Sequence, residues 1–153
     1  MNIVSKFTVN GINFIVRGAL AKDLNDIYEL DKKSIWFKLG DFICDDLSDT
    51  YPSDYAYCLV DVNINKVVGH LSVGGDEEDD EYQEGDMLLG DVFISQEYRS
   101  KGIGSKFVKD CINCYKNNRI FLTVLNDDEI YFYEKLGFKV LYSDGGYMVK
   151  YPE

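Results

Sequence analysis

The sequence predicts an α/β sandwich built around one mixed sheet, and three observations carry that prediction. Strand-like and helix-like stretches alternate along the chain without a repeat or a linker, which is the pattern of a layered α/β domain. At 153 residues and 46% apolar, the chain is long enough to bury roughly 70% of the surface its unfolded form exposes. Near its centre, an apolar run from Met87 to Ile94 breaks into a glycine-containing turn and continues as a helix. One domain over residues 1–153 is expected.

The elements follow in order. Lys6–Val9 and Ile12–Val16 flank Asn10-Gly11, a dipeptide that favours a two-residue hairpin loop, so the chain opens on two antiparallel strands. Leu24, Ile27 and Tyr28 recur at helical spacing within a helix over about Lys22–Lys33. Ile35, Trp36, Leu39 and Ile43 suggest a second helix ending near Asp46, with Trp36 as a core anchor, and Pro52 closes the segment. Tyr55–Val62 and Lys66–Val73 read as a hairpin around Asn63-Ile64-Asn65. His70, the sole histidine, falls on the second of these strands, where a structural role is the expectation.

The net charge is −11, and a segment at about 75–86 dominates it. Asp76, Glu77, Glu78, Asp79, Asp80, Glu81, Glu84 and Asp86 together leave only −3 for the rest of the chain. Like charge at this density repels itself and reads as a solvated loop; the functional alternative is a lure that concentrates cationic ligands. Either way, a phosphate-rich nucleic acid is not an expected partner. No apolar run reaches the ~18–20 residues of a membrane span, and the first residues lack a signal-peptide core, so neither a membrane nor an export route is expected. The expected compartment is the cytoplasm. Cys111 and Cys114 have C-x-x-C spacing but lie along a predicted helix, where they read as small buried hydrophobes, and Cys44 and Cys58 are too far apart to complete a metal site.

After Ile94 the chain reads Ser95-Gln96-Glu97-Tyr98-Arg99-Ser100-Lys101-Gly102-Ile103-Gly104-Ser105, and Phe107, Val108, Cys111, Ile112 and Tyr115 then recur at helical spacing. The turn therefore sits at a helix N-terminus, where unpaired N–H groups and the positive end of the dipole suit an anion such as a pyrophosphate. Farther on, Arg119–Val124 reads as a buried strand, and Asp127 or Asp128 is placed to cap a helix carrying Tyr131 and Tyr133 that Gly137 ends. Two last strands, Phe138–Tyr142 and Tyr147–Lys150, flank Asp144-Gly145-Gly146.

Arg99, Gly102 and Gly104 match R/Q-x-x-G-x-G/A, and this stretch resembles the acetyl-CoA signature of the GNAT superfamily of N-acetyltransferases. Asn126, followed by a Tyr-bearing helix closing on Gly137-Phe138, is similar to that family's later motif. The two motifs cover Met87 to Phe138. The resemblance implies a mixed, mostly antiparallel sheet of about seven strands flanked by about four helices, with acetyl-CoA as co-substrate. It also implies that the backbone of Val92, Phe93 and Ile94 pairs with the pantetheine arm, the Val92 N–H acting as oxyanion donor. The pyrophosphate would lie on Arg99 and on the backbone of Ser100, Lys101, Gly102, Ile103, Gly104 and Ser105, with Asn126 on the other wall. The link from Val124 to Asn126 is shorter than in many members.

An alkylamine with a pKa of about 10.4 is protonated at pH 7, so acetylating it needs a base or an organised water path. Asp91, which interrupts an apolar strand, is the candidate base or charge anchor, because a carboxylate at that place occurs in the polyamine, aminosugar and aminoglycoside enzymes this chain resembles; Glu97 is a weaker one. Tyr133 matches the tyrosine that protonates the departing thiolate, and Tyr131 reads as core or pocket wall. The implied reaction is acetyl transfer to a primary amine, on a cationic small molecule such as a polyamine or aminoglycoside-like compound. A protein or peptide acceptor and a non-catalytic acetyl-CoA-binding sensor are the alternatives, and a homodimer is among the assemblies expected. No metal is expected.

Overall fold

Asn10 and Gly11 both adopt left-handed backbone angles, φ 51° and 80°, and so turn the chain in two residues between β1 (Ile3–Val9) and β2 (Ile12–Gly18). Positive φ at both central positions matches the twist of the strands they join, which is why Asn-Gly predicts the hairpin. The structure is a computed structural model and describes residues 3–31, 47–50, 52–74, 83–141 and 146–153. Outside them fall the expected second helix with Trp36, Cys44, most of the acidic segment and the final turn at 142–145.

Six further strands follow: β3 (Ala56–Asp61), β4 (Lys66–Gly74), β5 (Met87–Ile94), β6 (Ile120–Thr123), β7 (Lys139–Val140) and β8 (Tyr147–Lys150). They hydrogen-bond in the order β1-β2-β3-β4-β5-β6-β8-β7, eight strands where about seven were expected. The β5–β6 pair is parallel, and β1–β2, β2–β3, β3–β4, β6–β8 and β7–β8 are antiparallel. Three α-helices accompany them among the described residues: α1 (Leu24–Leu30), α2 (Ile103–Asn113) and α3 (Asp127–Glu134). The mixed α/β class is as the alternation of elements predicted.

The chain divides into two compact units, residues 1–72 with 91–111 and residues 73–90 with 112–153. In the first, Val16, Ile27, Leu59, Leu71, Phe107, Val108 and Cys111 are fully buried. Each of the Val, Ile, Leu and Phe side chains contributes about 1.5–3 kcal/mol relative to exposure. A bidentate ion pair fixes the entry to α1: Arg17 donates to Asp23 at 2.6 and 2.9 Å, and Asp23 also accepts the Leu20 N–H at 2.7 Å. The α1 helix ends at Leu30, and the Asp31 N–H bonds the Ile27 carbonyl at 2.9 Å.

In the second unit, Ile120 and Leu122 of β6 are buried with Met148 and Val149 of β8 and with Phe138. The cap of α3 is Asn126, not Asp127 or Asp128: its side chain accepts the Glu129 N–H at 3.0 Å, and the Glu129 carboxylate accepts the Leu125 N–H at 2.7 Å. Both aspartates sit inside the first turn, where their charge suits the dipole. Gly137 ends the helix at φ 96°, and the Phe138 N–H reaches back to the Tyr133 carbonyl at 3.1 Å.

Three further sequence expectations need correction. Asp86 is no part of a solvated loop; it is 7% exposed, takes two hydrogen bonds from Arg119 at 2.7 and 3.1 Å and accepts the Gln83 N–H at 2.7 Å. A like-charge run says nothing about which acid finds a cation distant in sequence. Cys114 is exposed just beyond the end of α2, unlike Cys111. Tyr131 is 63% exposed under the Lys135 ammonium, 4.1 Å from its ring centre, and so is not a core residue.

Candidate active site

Asp91 interrupts β5 in conformation as well as in polarity. It holds φ 54°, a left-handed angle uncommon within a strand and reached by Asp more readily than by most other non-glycine residues. One such residue within a strand bends it and breaks the alternation of its side chains, as a bulge does. The bend is accompanied by a close approach of the neighbouring strand. A Cβ on Gly69 of β4 would lie 2.8 Å from Ile94 and 3.0 Å from the Phe93 carbonyl oxygen, and the Ser95 N–H bonds the Val68 carbonyl at 2.8 Å.

His70 lies next to Gly69 and is 0% exposed. Its Nε2 is 3.2 Å from Asp31 Oδ2, at the end of α1, and its Nδ1 is 3.5 Å from Asp91 Oδ2. Its ring stacks on Phe93, with centroids 5.7 Å apart and planes 15° apart. Burial pushes the imidazole below its ordinary pKa, against the pull of Asp91 and then Asp31. Burial thus favours the neutral form of a ring that sits between two carboxylates. Sequence reading picked out Asp91 and left His70 a structural role; it gave Asp31 none. Spacing carries no signal for either, since three separate elements bring them together.

The turn after β5 is built by its own side chains. The Arg99 Nε donates to the Ile94 carbonyl at 2.7 Å and the guanidinium lies 5.1 Å from the Phe93 ring centre, while the Lys101 ammonium donates to the Glu97 carbonyl at 3.0 Å. Glu97 is taken up locally: its carboxylate accepts the Ser95 hydroxyl at 2.6 Å, which holds it below the usual carboxyl range. Ser100 and Gly102 have φ 62° and 82°, and the Gly102 carbonyl accepts the Lys106 N–H at 3.2 Å, opening α2. Gly104 is under no such backbone demand, and a Cβ there would only touch Ile94 at 3.5 Å. Val92, Phe93, Ile94, Arg99 and residues 100–105 thus form one continuous strand, turn and helix start in the first unit.

Asn126 and Tyr133 belong to the second unit. The capping bond occupies the Asn126 carbonyl oxygen and leaves the amide nitrogen as that side chain's donor. Tyr133 packs edge-on against Phe132 and Phe138, with centroids 5.0 and 5.7 Å away. Burial, and then the charge of Glu129, raises its phenol to about 12, so it keeps its proton throughout the neutral range.

The acetyltransferase (GNAT) domain model matches residues 53–140, more than half of the chain. The chain belongs to the GNAT acetyltransferase family. Its class is accordingly that of the acetyl-CoA-dependent N-acetyltransferases. Solved structures share the fold at low identity. The GNAT family N-acetyltransferase YhbS of Escherichia coli, in complex with CoA, superposes with a TM-score of 0.65 at 15% identity, over 94% of this chain and 84% of that one. PH1933 of Pyrococcus horikoshii gives 0.68 at 18% identity, over 92% and 99%. Against another Pyrococcus horikoshii protein described as an acetyltransferase, the score is 0.63 at 14% identity; 89% of this chain is covered, but it spans only 46% of that longer one. No curated protein matches the sequence.

Proposed function

We propose that the protein moves the acetyl group of acetyl-CoA to a primary amine on a cationic small molecule, of the polyamine or aminoglycoside-like kind. The observation that carries this reading is Asp91: a carboxylate held at a left-handed backbone angle in β5, the strand whose backbone is the proposed cofactor contact, with 10% of its side chain exposed. Such a carboxylate attracts an ammonium and can take its proton. The neutral amine then attacks the thioester carbonyl, with the Val92 N–H as the proposed oxyanion donor, a contribution typically of ~2.7–4 kcal/mol. Arg99 and the N–H groups of Ser100 to Ser105 are the proposed grip on the pyrophosphate, and Asn126 a further cofactor contact. Tyr133 is the proposed donor to the departing thiolate, a role resting on its place in the later motif and on a phenol that stays protonated.

The test is a thiol-release assay against polyamines, aminoglycosides, free amino acids and Lys-rich peptides. Turnover with small polycations supports the reading, and turnover confined to Lys-rich peptides replaces it with a protein acceptor. In Asp91→Asn, a lost base lowers kcat most at neutral pH, with partial recovery at high pH. A lost charge anchor instead raises KM, more for a diamine than for a monoamine. Unchanged kcat and KM with every working acceptor would remove Asp91 from the site.

A further inference from the structure

The geometry points to His70 as the positioning residue that lets Asp91 work as a base: Asp31, His70 and Asp91 form a relay whose proton sink is the buried imidazole. This rests on the amine-acetylation reading above and adds to it two residues with no direct part in holding either substrate.

The argument begins with the tautomer. An ionised carboxylate only accepts hydrogen bonds, so the 3.2 Å contact between His70 Nε2 and Asp31 Oδ2 requires the proton on Nε2. A neutral imidazole has one N–H, so Nδ1 turns its lone pair toward Asp91 Oδ2 at 3.5 Å. A lone pair facing a carboxylate oxygen is an arrangement that one further proton converts into a charge-assisted hydrogen bond. The ring is held in plane for it by stacking on Phe93. His70 is wholly buried and cannot meet an acceptor, whereas Asp91 keeps 10% of its side chain exposed.

The proton balance is simple. An ammonium N–H bond breaks and an O–H bond forms on Asp91, leaving the electron pair on the amine nitrogen. That O–H bond then breaks as Nδ1–H forms, and the positive charge comes to rest on an imidazolium flanked by two carboxylates. The proton later leaves by the reverse path through Asp91 to solvent. The gain is one of matching: an ordinary imidazole lies closer to an alkylamine in basicity than an ordinary carboxyl does, an advantage that burial of His70 narrows and the two flanking carboxylates help to keep. Among the described residues, the charged groups set against the ring are Asp31 from the end of α1 and Asp91 from β5. Cys58, its partner on β3, is a buried thiol whose pKa lies well above the ordinary value and which stays neutral.

Because His70 is the sole histidine, its ring signals in the untagged full chain are unambiguous in a long-range proton–nitrogen NMR spectrum. The expected result is an Nε2–H tautomer near neutral pH, with a titration midpoint that falls in both Asp31→Asn and Asp91→Asn. An Nδ1–H tautomer, or a midpoint indifferent to Asp91→Asn, overturns the relay, and neither result depends on any acceptor. With a working acceptor, His70→Gln should lower kcat by about 10²-fold at pH 7, recover toward wild type as pH rises and leave acetyl-CoA affinity unchanged. Asp31→Asn should move the acidic limb of kcat to lower pH, because removing a carboxylate lowers the pKa of the imidazole that must be neutral to accept. A purely structural His70 would give a uniform loss with no displaced limb, and wild-type kcat and profile in folded His70→Gln would sink the proposal while leaving amine acetylation standing. Conversely, an Nε2–H tautomer with no acceptor turned over counts against the function alone.

Discussion

The Arg99 guanidinium is bound back onto the strand it follows, donating from Nε to the Ile94 carbonyl at 2.7 Å and lying over the Phe93 ring. Nε is therefore committed to the turn, and the outer nitrogens of the same planar group are what an anion would meet. Lysine cannot divide its charge this way, since it is a point donor without a fork. Arg99→Lys is accordingly expected to weaken acetyl-CoA binding by roughly tenfold, with charge conserved, equivalent to about 1.4 kcal/mol. Calorimetry of the variant checks this, and an unchanged Kd would show that charge alone suffices.

Gly102 and Gly104 should respond differently to a methyl group. At Gly102 the backbone has φ 82°, so alanine there brings a left-handed penalty of about 1–2 kcal/mol whatever binds. At Gly104 a Cβ meets only Ile94 at 3.5 Å, an ordinary contact. Gly104→Ala should keep wild-type thermal stability and lose acetyl-CoA affinity, whereas Gly102→Ala should lose some of both. Paired melting curves and binding isotherms separate the two effects. Full affinity in Gly104→Ala would mean that no ligand approaches that backbone.

Tyr133→Phe removes the proposed acid without removing the ring from between Phe132 and Phe138. The expected loss is about 10²–10⁴ in kcat with acetyl-CoA affinity preserved. The sign of the pH effect follows from the raised phenol. Its contribution to stability is complete below the unfolded value of about 10 and is lost as pH climbs through the native value of about 12. Alkaline unfolding of the wild type should therefore set in above about pH 10 and be displaced upward in Tyr133→Phe. Tyr98, also raised to about 12 by burial and its 2.6 Å bond to Asp61, gives the same trend and serves as the control.

Asp86 and Arg119 form a two-bond pair with the carboxylate nearly buried, and Arg119 holds that carboxyl below its usual range. A depressed value stabilises the folded state above the unfolded carboxyl pKa of about 3.9, and this contribution is lost as pH falls toward the native value. Asp86→Asn should cost about 1.5–3 kcal/mol at pH 7, and the difference from wild type should shrink in acid. Urea midpoints at pH 7 and pH 3 measure both. An equal penalty at the two values would assign the loss to packing.

Gly69 presses β4 against β5 beside His70. Gly69→Ala has to move both the Ile94 side chain and the Phe93 carbonyl, and overpacking of this kind costs about 1–3 kcal/mol. The expected signature is a lower melting temperature together with a perturbed His70 ring signal. A stable variant with an unchanged signal would mean that the strands have room.

Features that depend on near neighbours could be read from the chain alone. Asn10-Gly11 specified its hairpin because only a few residues tolerate positive φ twice in succession. The strand, glycine turn and helix from Met87 to Asn113 were legible because periodicity and backbone freedom are local properties, and they carried the family with them. Asp91 was visible as one charge in an apolar strand. Which groups meet across long separations emerged only with folding. Asp31, His70 and Asp91 come from a helix end and two strands, and no pattern in one dimension records that an imidazole will be buried between two particular carboxylates. Asp86 left its acidic run for Arg119 in the same way, and Asn126 took the cap from two neighbouring aspartates of equal propensity. Local propensity ranks what a residue can do, and the free energy of desolvating a charge decides which of those options survives folding, a quantity that exists only once the partners are in place.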